Sequence, residues 1–207
     1  MKTTTVRIDS GDPGEYAEKY VKAKGARRKL GAGCYGAVWG SNEGKRGSGR
    51  RVYKIGNISS NRDAYLAYAL ACANELKGNP FVPRIYSIIY IESVNEFLHN
   101  SNVFIVCMEQ LVPAGEPNGN PLNGCDCDIS EQDKMKMETI SNAIRNTDVA
   151  SDTSQYRKNN MPILDPKLEK VIHTIAKIKA NNDRCLDIHS ANVMKRGNIM
   201  VITDPLS

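Results

Sequence analysis

The chain has 207 residues, 41% of them apolar and 25% charged, with a net charge of +5. That is the make-up of an ordinary globular protein, with room for one domain or for two small lobes sharing a cleft. It holds no run near the roughly 18 apolar residues of a membrane span, and its opening MKTTTVRIDSGDPGEY lacks the apolar core of a secretory signal.

In chain order, residues 1–25 read as a polar extension with one short helix over 15–24. Two β-like runs, 27–31 and 37–41, flank a glycine-rich turn. A Gly/Lys/Arg/Ser loop over 42–49 leads to a third strand, 51–55. A helix over 62–77 follows, its apolar positions Leu66, Ala69, Leu70, Ala73 and Leu76 at helical spacing; Gly78, Pro80 and Pro83 end it. Strands over 84–91 and 103–108 come next. The stretch 113–160 is rich in Asn, Asp, Gly and Ser and reads as a partly mobile insertion with one weak helix over 131–145. Asp165 then caps a helix with Pro166 at its first position and Leu168, Val171, Ile172, Ile175 and Ile178 on one face. Two β-runs, 193–195 and 199–203, close the chain around Gly197–Asn198. The organisation expected is an extension (1–25), a β-rich lobe with one helix (26–111), a polar insertion (112–160) and a short, mainly helical lobe (161–207), with a hinge near 109–113.

Six cysteines are scattered, and Cys125 with Cys127 has no second Cys or His pair at zinc-ligand spacing, so reduced thiols are expected, not a metal site. The basic residues gather early, at Lys22, Lys24, Arg27, Arg28, Lys29, Lys45, Arg46, Arg50 and Arg51. Such a face attracts phosphate or an acidic partner. Nothing resembles a nucleic-acid module and aromatics are only 6%, so direct nucleic-acid binding is not expected.

Four signals carry chemistry. In Leu30-Gly-Ala-Gly-Cys-Tyr-Gly-Ala-Val38, Gly31, Gly33 and Gly36 let backbone N–H groups approach phosphates. Strands flank this turn on both sides, which disfavours a dinucleotide fingerprint, and Val38 falls where a kinase strand covers adenine. Lys54, in the third strand, fits the lysine that contacts the α- and β-phosphates. Asp187 and Asn192 lie five apart in Leu-Asp-Ile-His-Ser-Ala-Asn; the Asp can orient or deprotonate an attacking hydroxyl and the Asn can hold Mg²⁺. Asp204 ends the last β-run, a place for a carboxylate on a metal that bridges β- and γ-phosphates. Each signal alone has an ordinary structural explanation: a turn, a solvent-facing lysine, a polar cap. Together they arrive in kinase order and at kinase spacings. Glu109, at the start of the expected hinge, joins the nucleotide-binding set.

Asp187-Ile-His-Ser-Ala-Asn-Val-Met, followed by Val201-Ile-Thr-Asp-Pro-Leu-Ser207, closely resembles the catalytic loop and metal-binding end of the early serine/threonine protein kinases of T-seven-type, short-tailed lytic bacteriophages. Arg51-Val-Tyr-Lys-Ile-Gly, Ala64-Tyr-Leu-Ala and Val82-Pro-Arg-Ile-Tyr resemble the same family's lysine strand, helix and following strand. The resemblance spans about half the chain. It implies a minimal α+β, protein-kinase-like fold and an ATP- and Mg²⁺-dependent enzyme. That enzyme would act in the host cytoplasm, phosphorylate host proteins, those of the transcription machinery among the candidates, and help redirect host transcription. Lys54, Asp187, Asn192 and Asp204 carry over, with His189 where protein kinases have a Lys and small-molecule kinases of the aminoglycoside type commonly have a His. The chain departs from ordinary protein kinases in having Cys185-Leu186 before the Asp and only Pro205-Leu206-Ser207 after Asp204. No activation loop, Ala-Pro-Glu motif or large helical lobe is left. For the carboxylate partner of Lys54, Glu75 and Asp63 both stand at unusual spacing. Two other classes stay open: a pseudokinase-like protein that inhibits a host factor by binding it, and a small-molecule kinase.

Overall fold

A computed structural model describes residues 2–33, 36–40, 50–58, 63–94, 102–114, 116–117, 127–147, 164–189 and 192–206. The tip of the glycine turn (Cys34, Tyr35), the basic loop with Lys45 and Arg46, the Cys125 half of the Cys pair, residues 148–163, and Ser190 and Ala191 lie outside the described residues. The fold is α+β, and it divides into two compact units. The first gathers the described residues up to Asp63 together with Arg84–Leu111; the second gathers Ala64–Pro83 and the described residues from Val112 on.

The first unit is a six-stranded mixed sheet with one helix. Its strands are β1 (Lys2–Ile8), β2 (Arg28–Gly33), β3 (Gly36–Gly40), β4 (Arg51–Asn57), β5 (Ile85–Ser93) and β6 (Val103–Glu109), in the order β1-β5-β6-β4-β3-β2. Every neighbour pair is antiparallel except β1 on β5, which is parallel from Lys2↔Ser87 to Ile8↔Ser93. β1 was not expected, because its stretch read as a polar extension. An edge strand needs to bury little, and Thr3-Thr4-Thr5-Val6 is β-branched throughout, so polarity hid a strand that β-propensity favours. Helix α1 (Pro13–Ala23) starts two residues earlier than the 15–24 expected. Asp12 accepts from the Glu15 N–H at 2.8 Å and Pro13 takes the first helical position. Ala17 and Val21 of α1 pack with Trp39, Ile55, Ile91 and Ile105 in one core cluster.

The second unit holds α2 (Ala64–Ala73), α3 (Glu131–Arg145) and α4 (Pro166–Asn182), with α4 against both α2 and α3. An antiparallel sheet runs β11 (Ile199–Ile202), β10 (Val193–Arg196) and β7 (Val112–Pro113); β8 (Glu116–Pro117) pairs with β9 (Cys127–Asp128). The sequence placed α2 with the first lobe, but the helix sorts into this unit. Of the apolar positions read from the sequence, Ala69, Ala73 and Leu76 are buried as expected, but the inner face also takes in residues that reading did not include. Tyr65, Tyr68 and Cys72 are buried, while Leu66 and Leu70 are only partly covered. Tyr68 can go inside because its hydroxyl donates to the Ile202 carbonyl at 2.8 Å. Helix α3, read as weak, is capped by Ser130 and buries Met137, Ile140, Ala143 and Ile144. The face of α4 is largely as expected, with Leu168, Val171, Ile172 and Ile175 inside and Ile178 partly covered. Among the described residues, no helix is long and apolar enough to cross a membrane.

Candidate functional site

The sequence-derived residues fall into two sets, one in each unit. In the first unit, the turn from β2 to β3 is closed by the pair Gly33↔Gly36. A Cβ on Gly36 would stand 2.2 Å from the Ile55 carbonyl oxygen, so only glycine lets β3 lie this close to β4. Gly31 pairs with Val38, and Val38 pairs in turn with Lys54. Directly opposed residues of an antiparallel pair share a face, so Val38 and Lys54 stand side by side on one face of the sheet. Lys54 is only 8% exposed, which a charged side chain tolerates only in a polar or paired setting.

Glu109 is not brought beside them. It pairs with Arg51, three residues along β4 from Lys54 and therefore on the alternate face. Its carboxylate accepts the Arg84 N–H at 2.8 Å, and its own N–H donates to the Arg84 carbonyl at 3.0 Å. Both of its polar ends thus brace the start of β5.

In the second unit, Asp187, His189, Asn192 and Asp204 come together. The segment leaving α4 is tied to the chain end, where the Asp187 N–H donates to the Pro205 carbonyl at 2.8 Å and Leu186 bridges Leu206. The Asn192 N–H closes a turn on the His189 carbonyl at 2.9 Å. The Asn192 amide Nδ2 donates to the Asp187 carbonyl at 2.8 Å and to its carboxylate at 3.1 Å. The Asn192 carbonyl accepts from the Thr203 N–H at 2.9 Å and from the Thr203 hydroxyl at 2.8 Å, with the Asp204 N–H at 3.4 Å. The final hairpin therefore delivers Asp204 next to Asn192, and Asn192 holds Asp187.

His189 stands at the rim, its Nε2 2.9 Å from Asn192 Nδ2 and 3.4 Å from Asp187 Oδ1. A bare Nε2 accepts from Asn192; a protonated one donates to Asp187 instead. The imidazole proton thus decides which partner His189 takes.

A divalent cation fits the donor chemistry of this set. With Asn192 Nδ2 engaged by Asp187, Oδ1 is the amide atom left to face a cation, and Asp204 adds a carboxylate. Among the described residues, no group of three or more His, Cys, Asp or Glu side chains gathers to hold a metal. Two protein oxygens suit Mg²⁺, which keeps waters and takes phosphate oxygens, better than a structural zinc.

Three residues that shape this site were not singled out in the sequence. Pro205 acts through its backbone carbonyl, which leaves no mark on residue identity, and Thr203 through its N–H and a hydroxyl that any surface threonine carries. Asp133 on α3 binds Lys195 of β10 at 2.7 Å, three residues beyond Asn192. Asp133 is 7% exposed; its hydrogen bonds from Lys195 and then Ser130 pull its carboxyl below the usual carboxylate range. Only the Ser130-x-x-Asp133 capping pattern could have pointed to it.

Set against known proteins, the chain matches no protein-family model and no curated protein sequence.

Proposed function

We propose that the chain is a phage-type, ATP- and Mg²⁺-dependent serine/threonine protein kinase of minimal protein-kinase-like fold, acting on host proteins in the bacterial cytoplasm. The observation that carries this reading is the hydrogen-bonded set Asp187–Asn192–Thr203. It presents one carboxylate at 38% side-chain exposure, and so within reach of a substrate hydroxyl, and it brings Asp204 beside Asn192, so that an amide oxygen and a carboxylate of one turn would together hold a cation. The first unit supports the reading independently. A glycine turn joins two antiparallel strands, and the third strand of that meander carries a buried lysine, the placement protein kinases use.

In this reading the backbone at Gly31, Gly33 and Gly36 cradles phosphates, Val38 covers the adenine, and Lys54 contacts the α- and β-phosphates. Asn192 and Asp204 hold Mg²⁺, which neutralises charge on the β- and γ-oxygens when bound. Asp187 accepts a hydrogen bond from the substrate hydroxyl and aims its oxygen. His189, with Nε2 bare, leaves the Asp187 carboxylate available. Glu109, counted from the sequence in the nucleotide-binding set, braces the adjoining strand end through the Arg84 N–H.

Incubation with labelled ATP, Mg²⁺ and bacterial lysate is expected to label lysate proteins, and Asp204→Ala is expected to abolish labelling while melting like the parent. Mg-ATP should also raise the melting temperature, because a ligand of the native state stabilises it by mass action, and Lys54→Ala should shrink that shift. A melting shift without any transfer replaces the kinase with a nucleotide-binding inhibitor of a host factor. Labelling that survives Asp204→Ala removes the metal assignment.

A further inference from the structure

Alternation along β4 sends Lys54 to one face of the first unit's sheet and Arg51, Tyr53 and Ile55 to the other. That other face, over which α1 packs, bears a concave pocket of about 420 Å³ lined by Lys24, Gly25, Ala26, Arg50, Arg51 and Tyr53. Half of the lining residues are cations and none is a carboxylate. The Arg51 guanidinium lies 4.8 Å from the Tyr86 ring and the Lys24 ammonium 5.3 Å from the Tyr20 ring. Cations resting on ring faces are held in place while their outward N–H groups stay free to bind an anion.

Among the described residues, two features could oppose an anion here, and both are engaged by partners of their own. The carbonyl end of α1 points to this region. Its last turn is closed, however, by the Gly25 N–H on the Lys22 carbonyl at 3.0 Å and the Ala26 N–H on the Val21 carbonyl at 3.0 Å. Gly25 sits at φ +86°, the left-handed position this closure requires. Glu109 stands opposite Arg51, but its carboxylate is taken by the Arg84 N–H, with Arg84 Nε at 4.0 Å.

We propose that this pocket is a docking site for a phosphate monoester, and that its occupant is a phosphorylated serine or threonine of a partner polypeptide. A phosphate monoester carries about −1.5 to −2 charges on a compact head, and guanidinium forks grip it bidentately. The cations here converge on one cavity. A nucleic-acid backbone would instead need them strung along a track of successive phosphates. The site lies on the face away from Lys54, so its occupancy is independent of nucleotide binding.

The test is fluorescence anisotropy with a labelled Gly/Ala peptide carrying one central phosphoserine, beside the same peptide with serine. The phosphopeptide is expected to bind about tenfold tighter or better, the advantage charge-assisted hydrogen bonds confer. Lys24→Ala/Arg51→Ala, at two exposed positions, should erase that advantage without lowering the melting temperature, and Lys54→Ala should leave it intact. Equal binding of the two peptides, or undiminished binding in the double variant, overturns the proposal. A single-stranded oligonucleotide that outbinds the phosphopeptide and is lost in the same variant makes this a nucleic-acid surface. Inorganic phosphate that competes as well as the phosphopeptide, mole for mole, means that the ion alone is recognised and overturns the polypeptide occupant.

Discussion

In the first unit Lys54 is placed by its backbone. β4 is paired on both sides, to β3 and to β6, and the ladder would aim position 54 the same way whatever side chain it carried. In the second unit Asp187 lies outside any ladder and is held by a few bonds: its own N–H on the Pro205 carbonyl and an amide from Asn192, which the Thr203 N–H and hydroxyl hold in turn. Ladders distribute orientation over many bonds, so no single polar side chain in the first unit should matter much to its geometry. The loop concentrates orientation in a few bonds, so single side chains there should matter greatly. Substitutions in the first unit should therefore appear as stability through packing, and those in the loop as activity.

The largest expected effect sharpens this contrast. Asp187→Asn keeps the shape, and the Asn192 bond to the residue's carbonyl survives. Phosphoryl transfer depends mostly on positioning and charge, so kcat should fall about 100-fold or more, the usual worth of a positioned acid–base group. ATP affinity and melting temperature should stay near the parent's. If the variant melts early in proportion to its lost activity, Asp187 is a brace for the loop and nothing more.

Gly56→Ala is the counterpart in the first unit. A Cβ there would meet the Phe104 ring at 2.3 Å, across the β4–β6 pair and on the face that carries Lys54. Phe104 is 1% exposed and cannot swing to solvent, so overpacking should lower stability by about 3 kcal/mol in urea unfolding. Unchanged stability would show the sheet to be more pliant than its pairing suggests.

Where a residue is held by regular pairing, its place was readable in advance. The strands on either side of the glycine turn, Lys54 within the third of them, and most of the amphipathic face of α4 follow from period and spacing. What was hidden has specific causes. β1 is polar because an edge strand buries little. The inner face of α2 is lined by tyrosines, whose burial depends on a carbonyl 134 residues away. Glu109 ends β6 on the face opposite Lys54, a placement set by strand register and not by any local pattern. The clasp between Asp133 and Lys195 joins positions 62 residues apart, beyond the reach of any local pattern.

That clasp supplies the next prediction. Lys195→Ala should leave the 7%-exposed Asp133 carboxylate with Ser130 as its remaining strong donor. A cost of about 1–3 kcal/mol is expected at neutral pH, in the range for a buried polar group that loses its partner. The sign of the pH dependence follows from the lowered carboxyl of Asp133, whose main cause is the Lys195 hydrogen bond. Its contribution is present above the unfolded value of about 3.9 and is lost as pH falls through the folded one. The gap between parent and variant should therefore be full at neutral pH and close below about pH 4. A gap that stays constant down to acid pH would mean that Lys195 acts through its packed methylenes.

The smallest effect is expected where the first unit does use a single polar pair. Arg7 and Glu92 face each other across the β1–β5 register, with Nε 3.5 Å from Oε2 and side-chain exposures of 75% and 40%. Exposed pairs of this kind contribute about 0.2–1 kcal/mol, because water screens the charges and two long side chains must be ordered. The attachment of β1 should come instead from its parallel ladder and from Ile8, which is 8% exposed and belongs to the core cluster. Arg7→Ala should therefore change unfolding free energy by less than about 1 kcal/mol, whereas Ile8→Ala should cost about 2 kcal/mol through the lost burial and the cavity it leaves. Molar salt, which shortens the screening length to about 3 Å, should reproduce the Arg7→Ala effect and add nothing to it. If Arg7→Ala proves the more damaging of the two, or salt loosens β1 beyond what that variant does, then the strand is held by charge. The first unit would then depend on single side chains as much as the loop around Asp187 does.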